Sequence, residues 1–453
     1  MARRFSSLLL LAFSAALLSG CASTGERQDY LRQAERLPAE VSFAEIDELP
    51  GTATSLTALI DSRELQSLVQ EALDNNPGLQ QTLLALEQSQ ATLRQRRGER
   101  YPELEAGFSA SDTEDSEEQY TGSLTLSWQV DVWQQIEDGI NADEQSQFQQ
   151  QATYQAVRDT LAAEVMSSWL NLVAQKRSLA IERRRLDTLE LNEQLIQQRY
   201  QRGLGGLDDL DSARSLTYST LASVRELEDT IQQDERALNS LLGRMDDNPY
   251  QVPDQYPSVE RPLSGLPEQT LARRPDLQAA WYAIAAADYN ASVAYKDLLP
   301  RIDIQAALED VATSPSDALL TDPVWSLLGQ LTAPLFQGGQ LYAAAEIASL
   351  DTAIQYETYR ETLLTAVEEV RNALGLEQAF AERRAYIRQA LDKQSLALER
   401  YQERYRAGNA TILELLSVQQ ETYDLESQLD SLIYNQLDNR ITLTLALGLG
   451  IDE

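Results

Sequence analysis

The only cysteine of the chain, Cys21, directly follows Leu18-Ser19-Gly20 at the end of a short apolar segment. A basic start at Arg3 and Arg4 precedes this segment, so residues 1–20 have the layout of a secretion signal. Small residues before the cysteine are what a lipoprotein signal peptidase requires. We therefore predict that Cys21 is acylated, with palmitate as one acyl group, once the signal peptide is removed. The alternative is an ordinary signal peptide with an incidental cysteine.

Residue types that carry enzymatic or metal chemistry are scarce in this chain. It has no histidine, no cysteine besides Cys21, and no glycine-rich phosphate loop that ends in Lys-Ser or Lys-Thr. Carboxylate pairs such as Glu368-Glu369 could exchange protons, but on a charged helix such a pair usually belongs to a solvated face. Three methionines provide no series of soft ligands for copper or silver. We therefore predict no enzymatic activity, no cofactor and no bound metal.

The sequence contains two related halves. Asn76-Pro77-Gly78-Leu79 returns as Arg274-Pro275-Asp276-Leu277, and the two prolines lie 198 positions apart. Arg199-Tyr200-Gln201-Arg202-Gly203 returns as Arg404-Tyr405-Arg406-Ala407-Gly408, with 205 positions between the two glycines. Ordered matches with a slowly drifting offset indicate one architecture that is used twice, with small insertions.

Each half is predicted to contain a helix, two strands and a long helical hairpin. Apolar and polar residues alternate in Leu104–Ala110 and Leu124–Val130, and again in Ile302–Leu308 and Trp325–Leu331. This period of two is typical of strands with one apolar and one polar face. The acidic segment Asp112–Glu118 is predicted to be a solvated loop between the first two strands.

Helical stretches of unusual length follow the strands. We predict helices over about Ile136–Tyr200 and Leu341–Tyr405, which lack an interior proline; each would span about 100 Å. Shorter helices over about Leu65–Gly98 and Leu207–Leu241 would match one long helix when they are stacked end to end. The economical arrangement is a tube wall of antiparallel hairpins.

Charge and hydropathy restrict the environment of the chain. Loss of Arg3 and Arg4 with the signal would change the formal net charge from −34 to −36, and so acidic a chain repels nucleic acid. A surface that aids solubility would give the same composition. After residue 20, no segment approaches the run of about 18 apolar residues that a membrane helix needs. If the chain crosses a membrane, we expect it to do so as strands.

Four predicted strands are too few to close a barrel. An open sheet edge in lipid would leave backbone groups without hydrogen bonds, so closure requires further copies of the chain. Three copies would supply twelve strands, an even number as antiparallel outer membrane barrels require. Two or four copies are also compatible with the sequence, and a soluble two-domain protein with small sheets is the alternative.

Three further segments carry a family signature. The first runs from Leu271-Ala272-Arg273-Arg274-Pro275-Asp276-Leu277 to Leu299-Pro300-Arg301-Ile302. The others are Pro334-Leu335-Phe336-Gln337-Gly338-Gly339, and Tyr359-Arg360-Glu361-Thr362 with Glu368-Glu369-Val370. Together they resemble the outer membrane factor family, the TolC-like and OprM-like exit ducts of tripartite efflux pumps, and most closely its lipoprotein branch. The resemblance covers about residues 22–450.

The resemblance implies a mainly α-helical, TolC-like homotrimer. Its twelve-stranded β-barrel, with four strands from each protomer, would lie in the outer membrane, and its α-helical barrel would reach into the periplasm. The implied partners are a periplasmic adaptor (membrane fusion protein), an inner membrane RND-type pump and outer membrane lipid. Ala22 stands where an Asp would retain a lipoprotein at the inner membrane, which favours the outer membrane.

Repeat and resemblance together predict the domain organisation. Residues 1–20 would be the signal peptide, 21–61 a lipidated segment of an equatorial belt, 62–245 the first repeat, 246–266 a linker in the belt, and 267–453 the second repeat with the C-terminus.

The resemblance also assigns roles at the hairpin tips. The tip turns, where the adaptor would dock, contain Arg199, Tyr200, Gly203, Arg404, Tyr405 and Gly408. A glycine with positive φ at each tip would end one helix before the next begins. In this family, carboxylates after the tip glycine form rings that narrow the periplasmic entrance, and the candidates here are Asp208, Asp209, Asp211 and Glu414. Acids at helix N-termini are also favoured by the macrodipole alone.

Two departures from the family pattern affect these assignments. Ser417 stands where a further tip acid is usual, so a second ring at that position is open. The strand-to-helix turn of the second half is assigned to Pro334, Phe336, Gly338 and Gly339. The first half has Trp133-Gln134-Gln135 where a glycine and a basic residue are usual, so we expect a local difference in the turn. Candidates for an interfacial aromatic girdle are Trp128, Trp133 and Trp325, with packing at the barrel base as the alternative for Trp133.

The implied function is a passive duct, gated at the periplasmic tips, that conducts small molecules such as drugs from adaptor and pump to the exterior. The acidic balance predicts cation preference when the duct is open. One alternative is the exit duct of a type I protein secretion system. Another is a non-conducting, lipid-anchored periplasmic scaffold, which would not need four amphipathic strands. No residue identifies the cargo, and metal export stays open because a duct need not bind what it conducts.

Overall fold

The computed structural model describes residues 29–41, 53–114, 117–246, 250–262 and 271–451. Cys21 and the predicted signal peptide lie outside these residues, as do parts of both predicted belt segments. The first half contains α1 (Tyr30–Glu40), α2 (Arg63–Asn75), α3 (Pro77–Gly98), β1 (Glu103–Ser111), β2 (Gln119–Val130), α4 (Gln135–Gln201) and α5 (Leu207–Leu241). The second half contains α6 (Pro275–Lys296), β3 (Arg301–Ala312), β4 (Val324–Thr332), α7 (Gln340–Arg406) and α8 (Ile412–Ala446).

The four strands form one antiparallel sheet in the order β1-β2-β3-β4. Leu124 of β2 lies opposite Ala106 of β1 and Leu308 of β3, so apolar positions of neighbouring strands share one face. The four predicted strands are confirmed, but β2 and β3 are longer than predicted because they extend to Gln119 and Ala312. Since β1 and β4 are the outer strands, each has one unpaired edge in the described sheet.

Both predicted long helices are confirmed. α4 and α7 each contain 67 residues without interruption, which corresponds to about 100 Å. α5 and α8 contain 35 residues each and return alongside them. The second hairpin follows the first at a constant offset of 205 positions, so every residue of α7 and α8 has a counterpart in α4 and α5.

The prediction of one continuous helix over Leu65–Gly98 is wrong. The structure has two helices, α2 and α3, with Asn76 between them. Pro77 disfavours helical backbone at the preceding residue, and Asn76 has extended backbone with φ −67° and ψ 121°. The Asn76 side chain then caps α3 by accepting a hydrogen bond from the N–H of Leu79 at 3.0 Å.

The break at Asn76 is the joint where shorter helices meet end to end. Its Nδ2 donates to the carbonyl oxygen of Leu241, the last residue of α5, at 2.9 Å. In the second half, a guanidinium nitrogen of Arg274 donates to the carbonyl oxygen of Ala446, the last residue of α8, at 3.1 Å. The repeated segment around Pro77 and Pro275 therefore supplies a side chain that satisfies the end of a helix arriving from the tip.

A glycine completes each joint. Gly243 and Gly448 follow α5 and α8 with φ of +70° and +67°. A Cβ on Gly243 would lie 2.5 Å from the carbonyl oxygen of Asn75, and a Cβ on Gly448 would lie 3.1 Å from the backbone of Arg273. Both positions combine left-handed backbone with a close approach of another segment, so only glycine fits without strain.

The helices lie side by side at two successive levels along the length of the long helices, which we call layers. The order near the sheet is α3-α4-α6-α7, and the order away from the sheet is α5-α4-α8-α7, so the two long helices belong to both layers. The main apolar core surrounds Trp169 of α4 and includes residues of α2, α5 and α8. In the part of the chain that the structure describes, no helix is both long and apolar enough to cross a membrane.

Candidate functional site

Both hairpin tips have the same turn. Gly203, between α4 and α5, and Gly408, between α7 and α8, both have φ of +72°, which confirms the predicted positive φ. Arg199 and Arg404 close these turns, because each guanidinium donates to the carbonyl oxygen five residues further on, at 3.4 and 3.2 Å. The repeated Arg-Tyr…Gly pattern therefore forms a turn that is stabilised by the arginine hydrogen bond and by the left-handed backbone of the glycine.

The two tips of one chain pack against each other. Buried apolar side chains of α4, α5 and α8 form a tip cluster that contains Leu189, Ile196, Leu210, Ala213, Ile412, Leu415 and Leu416. Tyr405 packs against this cluster, whereas its counterpart Tyr200 is exposed. One apolar cluster therefore holds the tips of the two hairpins together within the chain.

Glu414 caps its own helix. Its carboxylate accepts hydrogen bonds from the N–H and the hydroxyl of Thr411 at 2.7 and 2.9 Å, and its own N–H donates to the Thr411 hydroxyl at 3.2 Å. These bonds to Thr411, with a smaller effect of the nearby Arg404 charge, lower the pKa of Glu414 below its ordinary value. Because the folded pKa is the lower one, the stability from this cap is present at neutral pH and is lost as the pH falls through that pKa.

The structure brings only part of the predicted gate together. Asp209 is the counterpart of Glu414. The N-cap residue three positions before it is Gly206, which has no side chain to complete a capping box. Asp209 and Glu414 line a groove of about 540 Å³ between the tips, together with Arg199 and Gly408. The other candidates, Asp208, Asp211 and Ser417, are exposed and do not line this groove.

The strand-to-helix turn of the second half contains two glycines in left-handed backbone. Gly338 and Gly339, with φ of +60° and +84°, directly precede α7. Pro334 and Phe336 lie between β4 and these glycines, and the Phe336 side chain is 88% exposed. In a single chain the turn therefore presents a large apolar group to its surroundings.

The equivalent turn of the first half is built without glycine. Gln134, which precedes α4, has φ of +58°, a conformation that costs a non-glycine residue about 1 kcal/mol. The carboxylate of Asp131 offsets this cost by accepting hydrogen bonds from the backbone N–H groups of Gln135 and Glu137, at 2.6 and 3.0 Å. The expected local difference from the family pattern is therefore a capped turn with a left-handed glutamine.

Replacing Gln134 with glycine should stabilise the protein by about 1 kcal/mol, because glycine removes the steric cost of positive φ. The matched control is Gln151→Gly, which places glycine at an exposed position in the interior of α4 and should cost about 1 kcal/mol. Thermal unfolding of the purified protein measures both changes. A lower midpoint for Gln134→Gly would contradict the proposed strain.

Two of the three candidate girdle tryptophans lie at the helical end of the sheet, and the third lies near the opposite end. The indole N–H of Trp133 donates to the carbonyl oxygen of Pro300 at 2.7 Å, and that of Trp128 to the carbonyl oxygen of Arg100 at 3.1 Å. Both contacts are at the helical end of the sheet. Trp325 is 74% exposed near the other end. The contact of Trp133 agrees with a packing role at the base of the strands.

Polar side chains line a cavity of about 730 Å³ where the sheet meets the helices. Its walls include Glu103, Ser127, Gln129, Arg301, Asp303, Gln305 and Gln330. These residues come from the polar face of the strands. The alternation of the sequence predicted this face, but it did not identify its residues as a site. Among the described residues, no group of three or more acidic, histidine or cysteine side chains is arranged to hold a metal ion.

A family model described as outer membrane efflux protein matches the chain twice. The matches cover residues 68–244 and 266–449, one in each half. The internal repeat seen in the sequence and in the two hairpins is therefore also a repeat of the family unit.

Relatives and solved structures match over nearly the whole chain. The pyoverdine export outer membrane protein OpmQ of Pseudomonas putida is 28% identical, covering 88% of this chain and 90% of OpmQ. The cation efflux system protein CusC of Escherichia coli K12 is 26% identical, covering 97% of this chain and 99% of CusC. The Campylobacter jejuni CmeC outer membrane channel, at 19% identity, superposes with a TM-score of 0.84 and 92% coverage of both chains. This last similarity indicates a shared fold.

Proposed function

The chain belongs to the outer membrane efflux protein family, and from this premise we propose that three copies of it form a passive duct. As a member of this family, the protein lies in the outer membrane and takes part in efflux, and its helical tube lies in the periplasm. The duct would receive small molecules such as drugs from a periplasmic adaptor and an inner membrane pump, and conduct them to the exterior.

The observation that carries the proposal is that the sheet and both helical layers end at the same two edges. β1, α3 and α5 form one edge, and β4 and α7 form the other. Two different edges that meet head to tail close into a ring when the rotation between copies closes. Three copies would supply twelve strands, and no backbone edge would then face lipid.

Exposed apolar side chains support both of the surfaces that such a ring needs. The side of α7 that faces away from its neighbours exposes Ile347, Leu350, Ile354 and Leu364, which fits contact with the next copy. The strands expose Leu104, Phe108, Trp325 and Leu331, which fits contact with lipid. Acylation of Cys21 would add an anchor to the same membrane.

The groove between the tips supports a docking role for the tip residues. It lies at the far end of the tube from the sheet and is lined by Arg199, Tyr405, Gly408 and their neighbours. We propose that an adaptor contacts this groove and the exposed Tyr200, with Gly203 and Arg404 fixing the shape of the two turns.

The cargo is proposed to be a small molecule. The names of the relatives include both pyoverdine export and cation efflux, so one architecture serves different cargoes. Export of proteins by a type I system would use the same duct. A non-conducting scaffold would leave the apolar strand face and the two open edges without a role.

The proposed function is tested by combining oligomeric mass with conductance. Detergent-extracted protein should have the mass of a trimer and should form discrete, cation-preferring channels in a planar lipid bilayer. A monomer or dimer that forms no channel would favour the scaffold. A reversal potential that favours anions would contradict the proposed selectivity.

Neutralising two tip carboxylates should raise the conductance of the resting channel several-fold. We propose that Asp208, Asp209, Asp211 and Glu414 narrow the entrance, with Ser417 one turn beyond Glu414. The test is Asp208→Asn combined with Glu414→Gln, because glutamine retains the capping box and removes only the charge. Single-channel recording gives the conductance.

The matched control is Asp229→Asn, which removes an exposed carboxylate higher on α5 and should leave the conductance unchanged. Equal conductance of wild type and double variant, with intact trimers, would show that these acids do not form the constriction.

A further inference from the structure

A buried charge cluster in the second hairpin contains one carboxylate, Glu377, and several arginines around it. Glu377 of α7 is 3% exposed, and its Oε1 accepts hydrogen bonds from Gln436 at 3.0 Å and from two nitrogens of Arg440 at 3.0 and 3.2 Å. Arg261 approaches the same oxygen at 3.6 Å. Arg384 instead donates to the side-chain oxygen of Gln436 at 2.8 Å.

Arg440 donates hydrogen bonds to Glu377, but Arg261 only approaches it and Arg384 donates to Gln436 instead. The second carboxylate oxygen of Glu377 is buried and accepts no hydrogen bond from the described residues. Burial, together with the positive charges of Arg388, Arg440 and Arg261, lowers the pKa of Arg384 despite the presence of Glu377. With respect to the described residues, guanidinium groups from α7, α8 and the segment before Pro262 therefore retain N–H donors and carry a surplus of positive charge.

The first hairpin shows that helix packing does not require this cluster. At the constant offset of 205 positions, the counterparts of Glu377, Arg384 and Gln436 are Leu172, Leu179 and Ile231. These three apolar residues are buried in the main core. At these three positions the second half therefore has two charges and an amide in place of aliphatic side chains, whereas the counterparts of Arg388 and Arg440 are the charged residues Arg183 and Glu235. Burying charges opposes folding.

We propose that Arg261, Arg384 and Arg388 bind a tetrahedral oxyanion, phosphate or sulfate. The planar N–H forks of guanidinium groups match the oxygens of such anions. Arg440 would position the site and not bind the anion itself, because Glu377 and the carbonyl oxygen of Val259 already accept its hydrogen bonds. The bound anion would connect the segment before Pro262 to α7.

The position of the cluster favours a soluble anion over a membrane head group. Arg384 lies 44 residues beyond the first residue of α7, which places it about 66 Å along the helix from the sheet. Arg388 is exposed and Arg384 is partly exposed, so an anion from solution can reach both.

Isothermal titration calorimetry on the full-length, detergent-extracted protein tests the site. Sodium phosphate and, separately, sodium sulfate are titrated at constant ionic strength against sodium chloride as reference. The wild type should bind both oxyanions saturably. Arg384→Gln should weaken binding about tenfold or more, since it removes charge-assisted hydrogen bonds. Arg383→Gln removes the same charge from the neighbouring position and should bind as the wild type does.

Two results would overturn the proposal: heats of phosphate and sulfate that match those of chloride, or equal binding by Arg384→Gln and Arg383→Gln. If Arg384→Gln does not fold, Arg384→Leu copies the residue of the first hairpin at this position, and Arg388→Gln alters an exposed side chain. Wild-type affinity in both of these variants would also refute the site. Because binding is measured without conduction, the result is independent of the proposed duct.

Discussion

Replacing Gly243 with alanine should clearly lower the stability and the yield of assembled protein, because two costs add at this position. The backbone has φ of +70°, which costs an L-residue about 1–2 kcal/mol. The new Cβ would also lie 2.5 Å from the carbonyl oxygen of Asn75, and such overpacking costs about 1–3 kcal/mol more. The total of about 2–5 kcal/mol is a large part of the stability of a typical domain.

Gly203→Ala separates these two costs. Gly203 has nearly the same φ, +72°, but no atom lies within 4 Å of a Cβ at that position. It should lose only the backbone cost of about 1–2 kcal/mol. The yield of assembled protein from membranes and its thermal unfolding midpoint measure both variants. Equal losses would mean that backbone conformation, and not the contact with Asn75, makes glycine necessary at the joint.

Sequence periodicity predicted the elements that repeat the same local signal many times. The two 67-residue helices were predicted to within one residue of their ends, because no proline or glycine cluster interrupts them and a glycine turn follows each. The strands were located by alternation, but the ends of β2 and β3 were missed because pairing with a neighbouring strand extends them beyond the alternating core.

The break at Asn76 was missed although its signal is local. Apolar residues continue at helical spacing on both sides, which favours one helix. The sequence Asn76-Pro77 is also a cap followed by proline at the first helical position. The second interpretation was correct because proline disfavours helical backbone at the residue before it and Asn76 caps the helix that follows.

The tips were predictable in shape and less so in side-chain geometry. The repeated glycines indicated the turns, whereas the capping role of Glu414 depends on Thr411 three residues earlier. That spacing is a recognisable capping box, and Gly206 explains why the first half lacks one. The cluster around Glu377 could not be predicted, since it joins residues from positions 261, 377, 384 and 440.

Arg274 makes the second joint more sensitive to mutation than its exposed neighbours. Its side chain is 9% exposed and pairs with Asp276 and Glu369 at 2.7 and 2.8 Å, while it also donates to the carbonyl oxygen of Ala446. Burial alone would lower the pKa of Arg274, but the hydrogen bonds and charges of the two carboxylates raise it above its ordinary value. The guanidinium therefore stays charged and holds α6, α7 and α8 together.

Arg274→Ala should destabilise the protein by about 2–4 kcal/mol, because it leaves the end of α8 without its donor and two carboxylates without their partner. The estimate stays below that for a fully buried pair, since Asp276 and Glu369 are 38% and 47% exposed and water can solvate them. Chemical denaturation of the purified protein measures the change, and the exposed neighbour Arg273→Ala should lose less than about 0.5 kcal/mol.

Arg274→Asn distinguishes the two roles of this side chain. It copies Asn76, which donates to the end of α5 without any ion pair. If the donor to Ala446 is the main contribution, Arg274→Asn should retain most of the stability that Arg274→Ala loses. If both variants lose the same amount, the ion pairs with Asp276 and Glu369 hold the second joint, and the two halves stabilise equivalent joints by different interactions. We expect the first outcome, because asparagine at the equivalent joint reaches the end of α5, whereas ion pairs with half-exposed carboxylates contribute little.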